Sequence, residues 1–203
     1  LFFGKPLIGW TIDLAKKSKL FDEIIVTTDD IQTASIAKKY GAKVPFLRPK
    51  KVSKDHTKDE EVIKHFLKIY KKKINILCYL YPTSILLKVI ILKKCKNLIL
   101  KEKKFTKLMT VCKFPHPIQR SLIKKSNNIF KYSNSRYSKS RTQDLKVHYY
   151  DAGQCYWFNI NKLSSIKNFK KSNIKAIELN ENQFQDIDTL DDLKVAKSRF
   201  KST

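Results

Sequence analysis

Apolar and polar positions along the chain follow two periods in alternation. Leu7, Trp10 and Leu14 share one face at helical spacing, with Ile8, Ile12 and Ala15 beside them and Pro6 near the first helical position. Residues 23–28 form a short β-branched run, the pattern of a buried strand. A helix over 31–40 follows, with Asp29 or Asp30 as its cap and Gly41 as its stop. Residues 43–46 read as a second strand closed by Arg48-Pro49. Val62, Phe66 and Ile69, with Ile63, Leu67 and Tyr70, form the buried stripe of a clean amphipathic helix. Residues 74–80 form the next strand, Tyr81-Pro82-Thr83-Ser84 turns out of its end, a helix covers about 86–98, and 108–112 is a strand.

Strand and helix thus alternate four times, which predicts an α/β fold with a mostly parallel sheet and helices on both faces. Ligands in such sheets sit outside the carboxyl ends of the strands. The loops at 28–30, 47–49 and 80–84 are therefore expected to line a site. Residues 113–150 break the alternation. Phe114-Pro115-His116-Pro117 cannot be helical, and Asn127-Asn128 and Asn134 are turn residues, so this stretch reads as an inserted extended segment. A strand at 155–160, a short helix at 161–166, a strand at 174–179 and a last helix from Thr189 or Asp188 to Phe200 complete the pattern, with Asp191 and Asp192 in the first turn.

A length of 203 residues fits one domain with a proper core. The net charge of +25, from 43 Lys and Arg against 18 Asp and Glu, raises the question of nucleic acid. The lysines are scattered over polar faces and loops, and no helix-turn-helix, zinc-finger or RNA-recognition pattern accompanies them. The expectation is non-specific stickiness toward polyanions and no specific nucleic-acid partner. The four cysteines are widely spaced without a Cys-x-x-Cys, which argues against zinc and against a disulfide framework, so a reducing cytoplasm is expected. No apolar run is long enough for a membrane span, and no signal peptide is visible.

Five stretches carry candidate chemistry. In Gln185-Asp186-Ile187-Asp188-Thr189 two carboxylates at i and i+2 of an extended segment share a side and suit one hard divalent ion, although Asp188 could instead cap the last helix. Thr27-Thr28-Asp29-Asp30, Arg48-Pro49 and Tyr81-Pro82-Thr83-Ser84 end strands. Pro117-Ile118-Gln119-Arg120 opens the insertion. Of the five arginines, Arg48, Arg120 and Arg141 fall in these candidate loops or in the stretch described next, in a chain that otherwise uses Lys, which points to bidentate recognition of carboxylate or phosphate. Between residues 140 and 157, Arg141, Gln143, Asp144, Asp151 and Gln154 lie among Tyr149, Tyr150, Tyr156 and Trp157. That mixture suits a small polar ligand such as a sugar acid; by itself it also fits a hairpin with a solvated loop.

Taken in order, several segments resemble the acylneuraminate cytidylyltransferase family: Phe3-Gly4-Lys5-Pro6-Leu7-Ile8, Leu20-Phe21-Asp22-Glu23-Ile24-Ile25-Val26-Thr27-Thr28-Asp29-Asp30, Tyr40-Gly41-Ala42 through Arg48-Pro49, Arg141-x-Gln143-Asp144-Leu145, and Gln185-Asp186-Ile187-Asp188-Thr189. Phe114-Pro115-His116-Pro117-Ile118-Gln119-Arg120, Tyr149-Tyr150-Asp151-Ala152-Gly153-Gln154-Cys155-Tyr156-Trp157 and Tyr81 look most like the branch that acts on pseudaminic acid. Tyr150 and Cys155 depart from the usual family residues. The resemblance implies a Rossmann-like nucleotidyltransferase sheet and transfer of CMP from CTP to a nonulosonic sugar acid. It implies Mg²⁺ held by Asp186 and Asp188, the catalytic pair. Gln119, Arg120, Arg141, Gln143, Tyr149, Asp151 and Gln154 would face the sugar, with Arg141 or Arg120 at its carboxylate, and Asp29 and Arg48 would border the nucleotide. A homodimer with residues 113–150 near its interface is implied as well. Other CMP-nonulosonate synthetases, including those for N-acetylneuraminate, and a catalytically inactive remnant are the competing readings. The family opens with a strand and a Gly- and Arg/Lys-rich triphosphate loop, which precedes the position of Leu1. On that basis the sequence is expected to be N-terminally truncated and, alone, not to turn over CTP.

Overall fold

The computed structural model describes residues 1–101, 107–162 and 174–202. Its centre is a four-stranded sheet of β1 (Ile76–Leu80), β2 (Lys107–Lys113), β5 (Tyr149–Asn159) and β6 (Ile174–Glu178), in the order β1-β5-β2-β6. β1, β2 and β6 run one way, and β5 runs antiparallel between β1 and β2. The predicted α/β architecture is therefore present, with one reversed strand at its middle. Among the described residues five α-helices surround it: α1 (Leu7–Ser18), α2 (Ile31–Lys39), α3 (Asp59–Ile69), α4 (Val89–Lys101) and α5 (Leu190–Lys201). The helix expected over 161–166 falls mostly outside the described residues; 160–162 form one 3₁₀ turn.

Strand alternation sorts the core into two layers. Leu108, Cys112, Cys155 and Trp157 face α4, whose Ile91, Leu92, Cys95 and Ile99 cover them, and Trp157 stacks on Phe21 with ring centroids 5.5 Å apart. Met109, Tyr156 and Phe158 face the other way, onto Ile63 and Leu67 of α3. Helices thus cover both faces. α2 packs on α1 through Ile12, Ala37 and Ala42, and α5 packs on Phe2, Ile85 and Leu86. α4 begins three residues later than the spacing predicts, because Ile85, Leu86 and Leu87 are buried in the turn before it.

The two strands expected at 23–28 and 43–46 reduce to one parallel bridge, Ile25 to Lys43. Val26 N–H donates to Lys43 O (2.9 Å) and Lys43 N–H to Ile24 O (2.8 Å). The next donor of the ladder belongs to Pro45, which has no N–H, so pairing stops there. One more bond, Arg48 N–H to Thr28 O at 2.7 Å, closes the pair of loops.

Within residues 113–150, β3 (Leu122–Lys124) and β4 (Phe130–Tyr132) form a separate antiparallel hairpin. Its turn uses Asn127 and Asn128 at φ of 51° and 59°, a region that Asn tolerates. All six strand residues are exposed.

Two positions on α4 test this packing. Leu92 is fully buried, and Ile90 is 53% exposed. Leu92→Ala is expected to cost about 2–5 kcal/mol in urea denaturation, whereas Ile90→Ala should stay within about 0.5 kcal/mol.

Candidate active site

β1 ends in Tyr79-Leu80, and Tyr81 follows it at the same parity as Tyr79, so the two tyrosines point to the α3 side. Tyr156 of β5 pairs directly opposite Tyr79. The three rings meet edge-to-face or tilted, with centroids 5.4, 5.9 and 6.3 Å apart. Asp59, in the first turn of α3, accepts the hydroxyls of both Tyr79 (2.9 Å) and Tyr81. Asp151 accepts the Tyr156 hydroxyl at 2.8 Å and the Gly153 N–H at 3.0 Å. Burial raises all three phenols above their usual range, and the carboxylates beside them raise them further. These hydroxyls therefore remain protonated donors at neutral pH. Lys58, Asp59, Tyr79, Lys107, Asp151 and Tyr156 line a cleft of about 230 Å³ on this face, and Lys107 Nζ lies 5.4 Å from the centre of the Tyr156 ring.

Asp151 and Tyr156 are five residues apart, an odd separation that would place them on opposite faces of a regular strand. The pairing of β2 with β5 slips between Met109–Tyr156 and Val111–Asp151, and Gly153 sits in this bulge at φ 61°. The extra residues bring both side chains to one side. They also seal Gln154 into the interior. It is fully buried, its amide donates to Ala152 O (3.0 Å), and its backbone carbonyl accepts the buried Ser84 hydroxyl (2.6 Å).

Arg48 reaches Asp29 at 3.5 Å, and its Nε donates to Ser53 Oγ at 2.9 Å, so the two residues expected on the nucleotide side do meet. The Arg48 charge also acts on Tyr79, which joins this pair to the cleft. Asp30 is spent as the α2 cap, accepting Thr33 N–H at 2.7 Å.

Thr189, not Asp188, caps α5. Its hydroxyl accepts Asp192 N–H, and the Asp192 carboxylate accepts Thr189 N–H at 2.8 Å. Asp188 is thereby left out of the cap. The Asp186 carboxyl is raised above its usual range, first by desolvation and then by Asp188, Asp192 and Asp151. Asp186 is thus within electrostatic reach of the cleft. Among the described residues no group of three or more carboxylate, His or Cys ligands gathers as a complete metal cage. Two repelling carboxylates are, however, the donor set for an ion such as Mg²⁺, which completes its shell with water and substrate phosphates.

The insertion residues form a second group. Gln119 donates to Lys146 O (2.8 Å) and touches His148 Nδ1 (3.0 Å), and Arg120 donates to Thr142 Oγ1 at 3.3 Å. Arg141 makes a bidentate pair with Asp144 at 2.7 and 3.1 Å, and Gln143 is exposed on the same 3₁₀ turn. Tyr149 leans toward Glu178, whose charge raises its phenol. The structure records no contact between Gln119, Arg120, Arg141 or Gln143 and the tyrosine cleft. Asp59, Tyr79 and Lys107 are the site residues that sequence reasoning passes over. The available signal is the Tyr-x-Tyr pair at a strand end.

Comparison with known proteins accounts for this layout. The model of the cytidylyltransferase family matches residues 1–185, and the chain belongs to that family. It is 36% identical over 205 residues to pseudaminic acid cytidylyltransferase of Campylobacter jejuni, a match covering 98% of this chain and 87% of that protein. A shorter match, 43% identical over 70 residues, covers 34% of this chain and 16% of N-acylneuraminate cytidylyltransferase from Escherichia coli. Among solved structures, CMP:2-keto-3-deoxy-manno-octonic acid synthetase complexed with CTP superimposes with a TM-score of 0.69 over 100% of this chain and 90% of its own; at 13% identity it speaks for the fold alone.

The raised Asp186 carboxyl has a consequence for stability. A carboxyl whose folded pKa lies above its unfolded value favours the folded state at low pH, and that contribution is lost as pH rises through the folded pKa. Asp186→Asn is therefore expected to raise Tm at about pH 7 and to leave it unchanged at about pH 3. Thermal melts at the two pH values check this, and Asp188→Asn should lower the Asp186 midpoint seen by NMR.

Proposed function

We propose that the chain is a nucleotidyltransferase that joins CMP to pseudaminic acid: CTP and pseudaminate give CMP-pseudaminate and pyrophosphate. The observation that carries this reading is the 36% identity to the C. jejuni pseudaminic acid cytidylyltransferase along 98% of the chain. The anomeric hydroxyl oxygen forms a bond to the α-phosphorus of CTP. The bond from that phosphorus to the oxygen bridging to the β-phosphate breaks, pyrophosphate leaves, and the hydroxyl proton passes to solvent.

Asp186 and Asp188 would hold Mg²⁺, which neutralises charge on the phosphates when bound. The Asp186 carboxyl, raised first by desolvation and then by the neighbouring Asp188, would be relieved by a bound cation, which supports that role. Asp29 and Arg48 border the nucleotide, with Arg48 held in orientation by Ser53. Asp151 and the tyrosine rings offer the sugar acceptors and flat apolar walls. Arg120, Arg141, Gln119 and Gln143 approach from the insertion, and a fork such as Arg141 suits the sugar carboxylate. Tyr149 borders the same side. Gln154 contributes from behind, as buried support for the bulge that carries Asp151.

A homodimer through residues 113–150 belongs to the same reading. Leu122, Ile123, Ile129 and Phe130 of the hairpin are 53%, 54%, 61% and 55% exposed. A two-stranded hairpin is at best marginally stable alone in water, and a second copy of the chain would cover this patch. A cytoplasmic location fits the four cysteines, all of them free. Among the described residues no helix is long and apolar enough to cross a membrane.

The function is tested by assaying the full-length protein on CTP and a panel of nonulosonic acids. Pseudaminate is expected to exceed N-acetylneuraminate by about tenfold or more in kcat/KM; the reverse order would overturn the assignment. Asp188→Asn should lower Mg²⁺-dependent turnover by about 100-fold or more. For the assembly, light scattering should give a dimer mass that Phe130→Glu reduces to a monomer. A monomeric wild type would exclude the interface.

A further inference from the structure

Asp59 is absent from every motif that carries the family resemblance, yet it holds two site tyrosines at once. Its carboxylate stands in the first turn of α3, between Tyr79 and Tyr81. The Tyr81 backbone is fixed: its carbonyl accepts Ser84 N–H at 3.1 Å, and the next carbonyl, of Pro82, accepts the Thr11 hydroxyl at 2.8 Å. Its ring lies beyond the last residue of β1, at the carboxyl end of the sheet where ligands bind. There a side chain keeps two torsional freedoms unless something holds its tip. Asp59 holds that tip.

The ring it holds then passes the constraint on. Tyr81 packs edge-to-face on Tyr156, at 5.9 Å, and the Tyr156 hydroxyl is fixed by Asp151 at 2.8 Å. Asp151 in turn acts electrostatically on Asp186. A continuous chain of contacts therefore runs from the first turn of α3 through two rings to Asp151. Both Asp59 oxygens are engaged by hydroxyl donors, so the carboxylate acts through the tyrosines.

We propose that Asp59 is a positioning residue that fixes the Tyr81 and Tyr79 rings as the wall against which the acceptor sugar is aligned. The proposal rests on the sugar-activating function given above. Asp59 sets the affinity and alignment of the sugar acid and leaves nucleotide binding, on the Arg48 side, largely untouched. Asn at this position keeps the shape and one acceptor but loses the charge-assisted bonds.

The test compares wild type, Asp59→Asn, Tyr81→Phe and the double variant in the full-length protein. KM for pseudaminate, KM for CTP, kcat and Tm are measured for each. Asp59→Asn is expected to raise the sugar KM about 10- to 100-fold, with the CTP KM changed less than about twofold and Tm still above assay temperature. Tyr81→Phe should reproduce most of that effect. The double variant should be no worse than the poorer single variant, because both remove one interaction. An unchanged sugar KM with a lowered Tm would overturn the proposal and leave Asp59 a purely structural anchor of α3. Equal losses for CTP and sugar, or additive losses in the double variant, would also overturn it. If the wild type prefers another nonulosonic acid, the functional reading fails, and the same ratios measured with that sugar still decide the role of Asp59. If the wild type neither turns over nor binds any such acid in calorimetric titration, both readings fall.

Discussion

The bulge in β5 is the constraint on which the rest of the site depends. One reversed strand occupies the middle of the sheet and touches both β1 and β2, so any change of its register reaches every layer. Gly153 takes a backbone conformation that a side chain would resist, and the pairing with β2 slips there. Without that slip Asp151 and Tyr156 would face opposite layers. With it, a carboxylate, an aromatic wall and the reach to Asp186 fall on one side, while Trp157 and Cys155 still fill the other. Packing and chemistry are thus decided at the same residue.

Electrostatics gives the site its character against the background of the molecule. The chain carries a net charge of +25, yet Asp59 and Asp151 line the cleft, and Asp151 acts electrostatically on Asp186. Each tyrosine donates its proton to a carboxylate in a half-buried setting, where such bonds are stronger than in water. Asp186 has no donor of that strength. It is held in proximity to three other acids, an arrangement that opposes its own ionisation and favours a cation. Lys58 and Lys107 stand in the same lining, so the cleft offers an anionic substrate positive charge beside the acids.

Much of the fold was legible because periodicity reports burial. The α1, α2, α3 and α5 stripes and the strands at 76–80, 107–113 and 174–178 agree with the spacing of their apolar residues. The strands at 23–28 and 43–46 did not form as ladders, since Pro45 withholds the donor that the third rung needs, a rule readable in the sequence once the partner is known. The start of α4 slipped because tertiary burial of Ile85, Leu86 and Leu87 overrides helical propensity. In the site, Asp29 and Arg48 meet, and of the two caps that the sequence allows for α5, Thr189 is the one used. Asp59 and Tyr79 were hidden, as was their meeting with Tyr156, because it needs the register between α3, β1 and β5, and a bulge erases the simple parity of a strand. Gln154 was read as facing a ligand from its place in a polar stretch; the bulge turns it inward.

The short pairing of 24–28 with 43–48 has a mechanical consequence. Three backbone hydrogen bonds join these loops, whereas the wall of Tyr79, Tyr81 and Tyr156 is set in a four-stranded sheet with helices on both sides. Local opening of the first costs a small part of the free energy of global unfolding, and opening of the second costs most of it. The edge assigned to the nucleotide is compliant, and the edge assigned to the acceptor is stiff. In a two-substrate enzyme built this way, the flexible partner can yield to a long triphosphate while the rigid one keeps the geometry of attack.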